Sequence, residues 1–354
     1  MAKGIYVGIG GTPRKINKSY IGIGGTPRKV KKVYVGVGGS PRLAWSSDIQ
    51  KVTSGLPSIS ANSYYTNFLN GASVGNYAII TNSASDADVI NNSLVRTGSV
   101  TSYYLRSRAS ASTYNYGIIV GGIDSNNHNM GSGDIYNTSL VRTTISTDLS
   151  SNSAGCSFGN YALFADPQYS SATAIRYISN SLVYGGITGV AGPSFCSGAN
   201  AGNSYAVFSG GSGSFAVNTS LVATNISGTI NQAGYNHTSA SVGNYALFGG
   251  MHTVRGVNSS LVAIPEITLT AYHYDMDSFC ACGSDNYAIF AGGNDLDRNA
   301  VNTVDVIDAN LVRTTLTLTT AREYAYSLKV GSYLLVAGGY YGSTYLHDIE
   351  AFEV

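Results

Sequence analysis

The sequence predicts an all-β chain closed into a ring of seven four-stranded blades, and three observations lead there. A block opening Asn-Tyr or Ser-Tyr recurs seven times, with its tyrosine at 77, 116, 161, 205, 245, 287 and 333. The intervals of 39, 45, 44, 40, 42 and 46 residues suit β-propeller blades rather than helical solenoids. Six blocks close on a Leu-Val pair, whereas the seventh stops at Val354 without one. Upstream of every block, Asp48-Ile49-Gln50-Lys51-Val52 repeats the pattern of Ser93-Leu94-Val95-Arg96-Thr97. A first strand that completes the last repeat leaves no free sheet edge at the seam.

Within a block the expected order is an inner strand, a Gly-Asn turn, and a Tyr strand such as Asn160-Tyr161-Ala162-Leu163-Phe164. A third strand, a polar turn and a Leu-Val outer strand follow. Asn, Asp, Ser and Gly supply the turn conformations. The sequons Asn137-Thr138-Ser139, Asn218-Thr219-Ser220 and Asn258-Ser259-Ser260 fall in that polar turn and are read as turn chemistry. No stretch places apolar residues at helical spacing, so almost no helix is expected.

Gly pairs follow the Tyr strand at 121–122, 210–211, 249–250, 292–293 and 338–339. They are expected to give positive φ and close backbone approach near the axis. At these residues the chain resembles the kelch-type β-propellers. Two blocks depart from the pattern, with Thr81-Asn82 and Ala165-Asp166 in place of the pair, and the outer-strand Trp usual in kelch repeats is absent.

A different repeat occupies the front of the chain. Tyr6-Val7-Gly8-Ile9-Gly10-Gly11-Thr12-Pro13-Arg14 recurs from Tyr20 and from Tyr34, a period of 14 residues, and reads as strand then turn. No Gly-Lys-Ser/Thr follows to make a phosphate cradle, and no apolar core follows the charges to make a secretory signal. Residues 1–47 hold nine Lys or Arg and no acid, while the remainder holds eleven basic and nineteen acidic residues. Such a head suits docking to an acidic surface.

This triplication looks like N-terminal repeats of structural proteins of tailed phages and prophages of Gram-positive bacteria. The resemblance implies two parts: a basic virion anchor over residues 1–45 and a seven-bladed propeller over 46–354. Arg14, Lys15, Arg28, Lys29, Lys31, Lys32 and Arg42 would contact other virion proteins, in multiple copies per particle. Nucleic acid is not expected, because the cations are interleaved with Gly and Pro and form no reading motif.

Composition bounds the rest. The chain is 44% hydrophobic but only 11% charged, with 43 Gly and 27 Tyr, which fits extracellular and virion β proteins. No apolar stretch is long enough to span a bilayer, so no membrane partner is expected. Cys156, Cys196, Cys280 and Cys282 are too scattered for a disulfide framework and are expected as buried free thiols.

Catalysis, cofactors and metals are not expected. The five histidines fall in five different blocks without metal-ligand spacing, and no nucleophile elbow occurs. Asp295-Leu296-Asp297-Arg298-Asn299 alternates oxygen ligands as a calcium loop does, but lacks the downstream Glu and reads as a polar loop. Loop lengths say more. Short repetitive turns project from one end of the ring, and variable connections project from the other, as a binding surface on a rigid scaffold would. The variable end gathers Tyr103, Tyr104, Arg106, His128, Tyr169, His252, Arg255, Tyr272, His273, Asp295, Arg298, Tyr340 and Tyr341. Aromatic rings flanked by polar groups suit a host cell-wall glycan or a surface protein. The expected role is therefore host attachment at a tail, baseplate or fibre, with an architectural decoration protein as the alternative and a glycan-processing enzyme behind both.

Overall fold

The computed structural model describes residues 48–60, 69–81, 86–103, 105, 107–166, 175–190, 196–211, 213–226, 228, 230, 238–273 and 279–354, with the backbone of six strands within residues 5–46. Seven antiparallel four-stranded sheets follow one another along the chain, and no helix occurs among the described residues. Blade 1 is built from Asn70–Val74, Tyr77–Thr81, Asp86–Asn91 and Arg96–Thr101, from the axis outward. Inner strands of successive blades contact one another, and Tyr326–Val330 of blade 7 contacts Asn70–Val74 of blade 1. The ring is closed.

The seam forms as the sequence predicts. Tyr326–Val330, Tyr333–Ala337 and Ile349–Glu353 are completed by Gln50–Lys51, with Lys51 opposite Phe352 and Gln50 opposite Glu353. The Val52 N–H extends the ladder by donating to Ala351 O at 2.8 Å. Closure is also apolar. Ile80 and Ile90 of blade 1 share one core cluster with Leu328, Leu335 and Ile349 of blade 7. Because every second strand is covered by a neighbouring blade on each side, its interior positions are buried throughout, as in Tyr161–Ala165.

The Leu-Val pair does not form an outer strand. It ends the polar turn, and the outer strands of blades 1, 2 and 6 begin one residue later at Arg96, Arg142 and Arg313. Leu94, Leu140, Leu182, Leu221, Leu261 and Leu311 all adopt left-handed backbone with φ of 58–63°. That conformation costs an L-residue about 1–2 kcal/mol. Two effects offset it. Asn91 Oδ1 accepts from the N–H groups of Ser93 and Val95, both at 3.0 Å, and Asn137, Ser179, Asn218, Asn258 and Asp308 do the same in their own turns. The leucine side chain meanwhile packs into the core, as Leu94 does between blades 7 and 1. The three sequons are thus turn-forming asparagines.

The Gly pairs also differ from expectation. Only those of blades 2, 6 and 7 have positive φ, and what they approach is the loop entering the next blade or their own, not the axis. A Cβ on Gly292 would lie 2.5 Å from Arg322 O, and one on Gly121 would lie 2.7 Å from Ser150 O. The crowding at the axis falls on other glycines. A Cβ on Gly155 would sit 1.9 Å from Ser110 O, so adjacent inner strands touch backbone to side.

Residues 5–46 form three two-stranded hairpins: Ile5–Ile9 with Thr12–Ile16, Tyr20–Ile23 with Thr26–Lys29, and Lys32–Val37 with Ser40–Ser46. Of the Gly-Gly-Thr-Pro run expected to turn, the Thr-Pro (Ser-Pro in the third copy) begins the second strand. Lys31 lies outside the described residues, as do the side chains of Arg14, Lys15, Arg28, Lys29, Lys32 and Arg42. Gln50 pairs with the end of the third strand of blade 7, so the chain enters that blade on the short-turn face, opposite the variable loops.

Candidate binding face

A repeated buried carboxylate fixes the loops of the variable face. Asp88, Asp134, Asp305 and Glu350 occupy one position on the third strands of blades 1, 2, 6 and 7, each at most 2% exposed. Each accepts a backbone N–H from the incoming loop: Ser60 to Asp88 at 2.8 Å, Tyr103 to Asp134 at 3.1 Å, Thr270 to Asp305 at 2.9 Å and Thr319 to Glu350 at 2.8 Å. A cation at the start of the outer strand neutralises it, namely Arg96, Arg142, Arg313 or Lys51. Burying such a charge is tolerable only with this full set of partners. In blade 3, where Arg176 holds the position, the acid moves to Asp166, which accepts from Ser150 N at 2.7 Å. This framework was missed in the sequence, although its spacing is regular. In blades 1, 2 and 6 the acid precedes the turn leucine by six residues and the outer-strand arginine by eight.

On this framework the expected binding residues fall into separate sectors. Tyr103, in the loop entering blade 2, lies under the Arg142 guanidinium, whose carbon is 4.7 Å from the ring centroid. His128 closes a turn in which Asp124 Oδ1 accepts its N–H at 2.9 Å. That backbone bond is the main cause holding the Asp124 carboxyl below its usual range. Blade 5 brings two expected residues into contact. The rings of His252 and Tyr272 stack with centroids 5.7 Å apart, and the Tyr272 hydroxyl donates to Met251 Sδ at 3.2 Å. In blade 7, Tyr340 and Tyr341 form one arm of a small hairpin with Thr344–Tyr345; Tyr340 packs on Tyr345 at 5.2 Å, and Tyr341 is 51% exposed. Tyr104, Arg106 and Tyr169 lie outside the described residues.

Two expected residues, His273 and Arg255, are placed differently, while Asp295 keeps its place in a variable connection. His273 is not at the surface. It is 2% exposed, stacks on Phe279 at 4.1 Å, and its Nδ1 has no hydrogen-bond partner. Burial pushes the imidazole down to about 4, so it is neutral at physiological pH. Arg255 sits within the third strand of blade 5, opposite Phe248, and pairs with Glu266 at 2.6 Å. Asp295 is a turn former. Its Oδ1 accepts from the N–H groups of Asp297 and Asn299, with Arg298 left-handed at φ 63°, in the same turn as Asp124–His128. No group of three or more His, Cys, Asp or Glu is placed to hold a metal among the described residues.

The axis is an open channel of about 770 Å³ walled by Ser, Gly, Ala and Cys. Its hydroxyls are largely spent on tying blades together. Ser112 donates to Ser73 O, Asn200 Nδ2 donates to Ser157 O at 2.5 Å, and Ser241 Oγ accepts from Asn200 N at 2.7 Å. Tyr326 crosses the wall from blade 7, donating to Gly71 O of blade 1 at 2.7 Å and meeting Ser110 Oγ of blade 2 at 3.0 Å. All four cysteines are free, and burial raises their thiols, Cys280 to about 11 and Cys196 to about 12.

No family model and no curated protein matches the chain. Among solved structures it is similar to virginiamycin B lyase from Staphylococcus aureus. The TM-score is 0.57 at 9% identity, over 87% of this chain and 99% of that one. At that identity the likeness is one of fold. It corrects one expectation: the similar structure is an enzyme's, so a ring of this kind does not mark the chain as non-catalytic.

Proposed function

We propose that this chain is a virion structural protein of a tailed phage that attaches to the host surface. Residues 1–45 would hold it to an acidic surface of other virion proteins, in several copies. The variable face would meet a cell-wall glycan or a surface protein. The observation that carries this reading is the opposition of the two parts: the basic segment joins the ring at Asp48 on the short-turn face, and the variable loops open on the other. A ring anchored this way presents its loops outward. The kelch-type and phage resemblances of the sequence support the same assignment.

The test uses the purified full chain on host cell walls. A pull-down with Tyr341→Ala, and with Met251→Ala together with Tyr272→Ala, should lose binding at one sector or both with the melting temperature unchanged. Binding untouched by all three substitutions would move the site elsewhere. Mass analysis of the supernatant for released sugar fragments separates attachment from processing. Arg14→Glu with Arg28→Glu and Arg42→Glu should abolish incorporation into particles and leave wall binding intact.

A further inference from the structure

The channel wall repeats one tie between blades and drops it in one place. Ser73, Ser112, Ser157, Asn200, Ser241, Gly283 and Lys329 share one level of the inner strands, each opposite the residue after the block tyrosine. At this level the backbone turns its N–H and C=O away from the second strand, and a side chain of the following blade takes them up. Ser73 Oγ donates to Lys329 O, and Ser112 Oγ donates to Ser73 O. Ser112 N–H donates to Ser157 Oγ at 2.7 Å, and Asn200 Nδ2 donates to Ser157 O at 2.5 Å. Asn200 N–H donates to Ser241 Oγ at 2.7 Å.

Blades 6 and 7 break the series. Gly283 brings no side chain to Ser241, although a Cβ there would lie 1.9 Å from Ser241 O and 3.0 Å from its N. Lys329 follows Gly283, and an ammonium donates but cannot accept. Among the described residues, Ser241 and Gly283 therefore lack the side-chain partner that the same backbone groups have elsewhere in the ring. Lys329 itself is exposed and lines the channel, and its Nζ has no hydrogen-bond or ion-pair partner among the described residues. The other charged residues of the wall are Arg108, which is paired with Asp134 at 2.7 Å, and Asp285 at the short-turn mouth, which makes no ion pair with Lys329.

We propose that this gap binds the carboxylate end of a small sugar acid. It gathers one ammonium and two backbone N–H groups, all of which a carboxylate can accept from. The carbonyls of Ser241 and Gly283 lie in the same gap and accept from hydroxyls beside the carboxylate. A neutral sugar would leave the ammonium unmatched, and a plain carboxylate would leave the carbonyls unmatched. The channel, at about 770 Å³, has the size of a small-molecule site. The gap lies on the axis, apart from the loops of the attachment face, so it does not rest on that reading.

Titration of the isotope-labelled full chain with glucuronate, followed at the amide signals of Ser241 and Gly283, decides it. Both signals should move. Lys329→Met, which keeps the apolar stem, should weaken binding about 10-fold or more, and Lys329→Arg should keep most of it. Lys329 is exposed, so an unchanged melting temperature shows that the variants fold. Acetate and glucose, each carrying half of the recognised chemistry, should bind more weakly than glucuronate. Signals that stay still at about 50 mM glucuronate overturn the proposal. So does a response that survives Lys329→Met, or one that glucose or inorganic phosphate produces as readily.

Discussion

Lys51 Nζ lies 2.6 Å from Glu350 Oε2, joining opposite ends of the chain within one sheet. It stands to Glu350 as Arg96 stands to Asp88 and Arg313 to Asp305, so blade 7 is chemically a blade like the others. The two partners are not equal in weight. Glu350 also accepts from Thr319 N and from Arg322, which is fully buried. Lys51→Ala should therefore cost about 1 kcal/mol. Glu350→Ala leaves Arg322 with only the half-exposed Asp348 as carboxylate partner, and should cost about 3–5 kcal/mol. Urea unfolding midpoints of the two variants check this; equal losses would mean that Arg322 does not depend on Glu350.

His273 should make the protein acid-sensitive in a defined window. Its folded value, about 4, lies below the ordinary 6.5, so below pH 6.5 the unfolded chain takes up a proton that the folded chain refuses. Stability from this group is complete above about pH 6.5 and falls as the pH drops towards 4, by roughly 3 kcal/mol. His273→Phe, which keeps the stack on Phe279, should flatten the stability profile over that range. A profile parallel to wild type would show that His273 does not govern the acid response.

The polar turn predicts its own substitutions. Asn137→Ala removes an acceptor shared by the N–H groups of Ser139 and Val141 and should cost about 1 kcal/mol. Asn137→Asp should be tolerated, because Asp308 does the same work in blade 6. Thermal unfolding of the two variants compares them directly.

Gly155 has ordinary backbone but no room. Gly155→Ala places a methyl against Ser110 O and should destabilise by about 1–3 kcal/mol through displacement of adjacent inner strands. An unchanged melting temperature would show that the channel wall yields at this point.

Much of this is legible in the sequence. The blade count follows from seven tyrosine blocks, and the seam from the likeness of residues 48–52 to 93–97, because each blade must bury the same strand between the same neighbours. The buried acids were legible too, at six residues before Leu94, Leu140 and Leu311, but single acids in polar strands look like surface. The left-handed leucines were not. An isolated Leu-Val reads as strand, and only packing against the preceding blade makes the strained turn worth adopting.

The sequence by itself determined the number of blades, the closing strand and the separation of a basic head from an acidic body, since these rest on repetition and charge. The tertiary structure alone decided that His273 is buried, that Arg255 is spent on Glu266, and that Lys329 lines the channel. Those outcomes depend on which parts of neighbouring blades meet, and contact between blades is set by the curvature of the ring, which no single repeat contains.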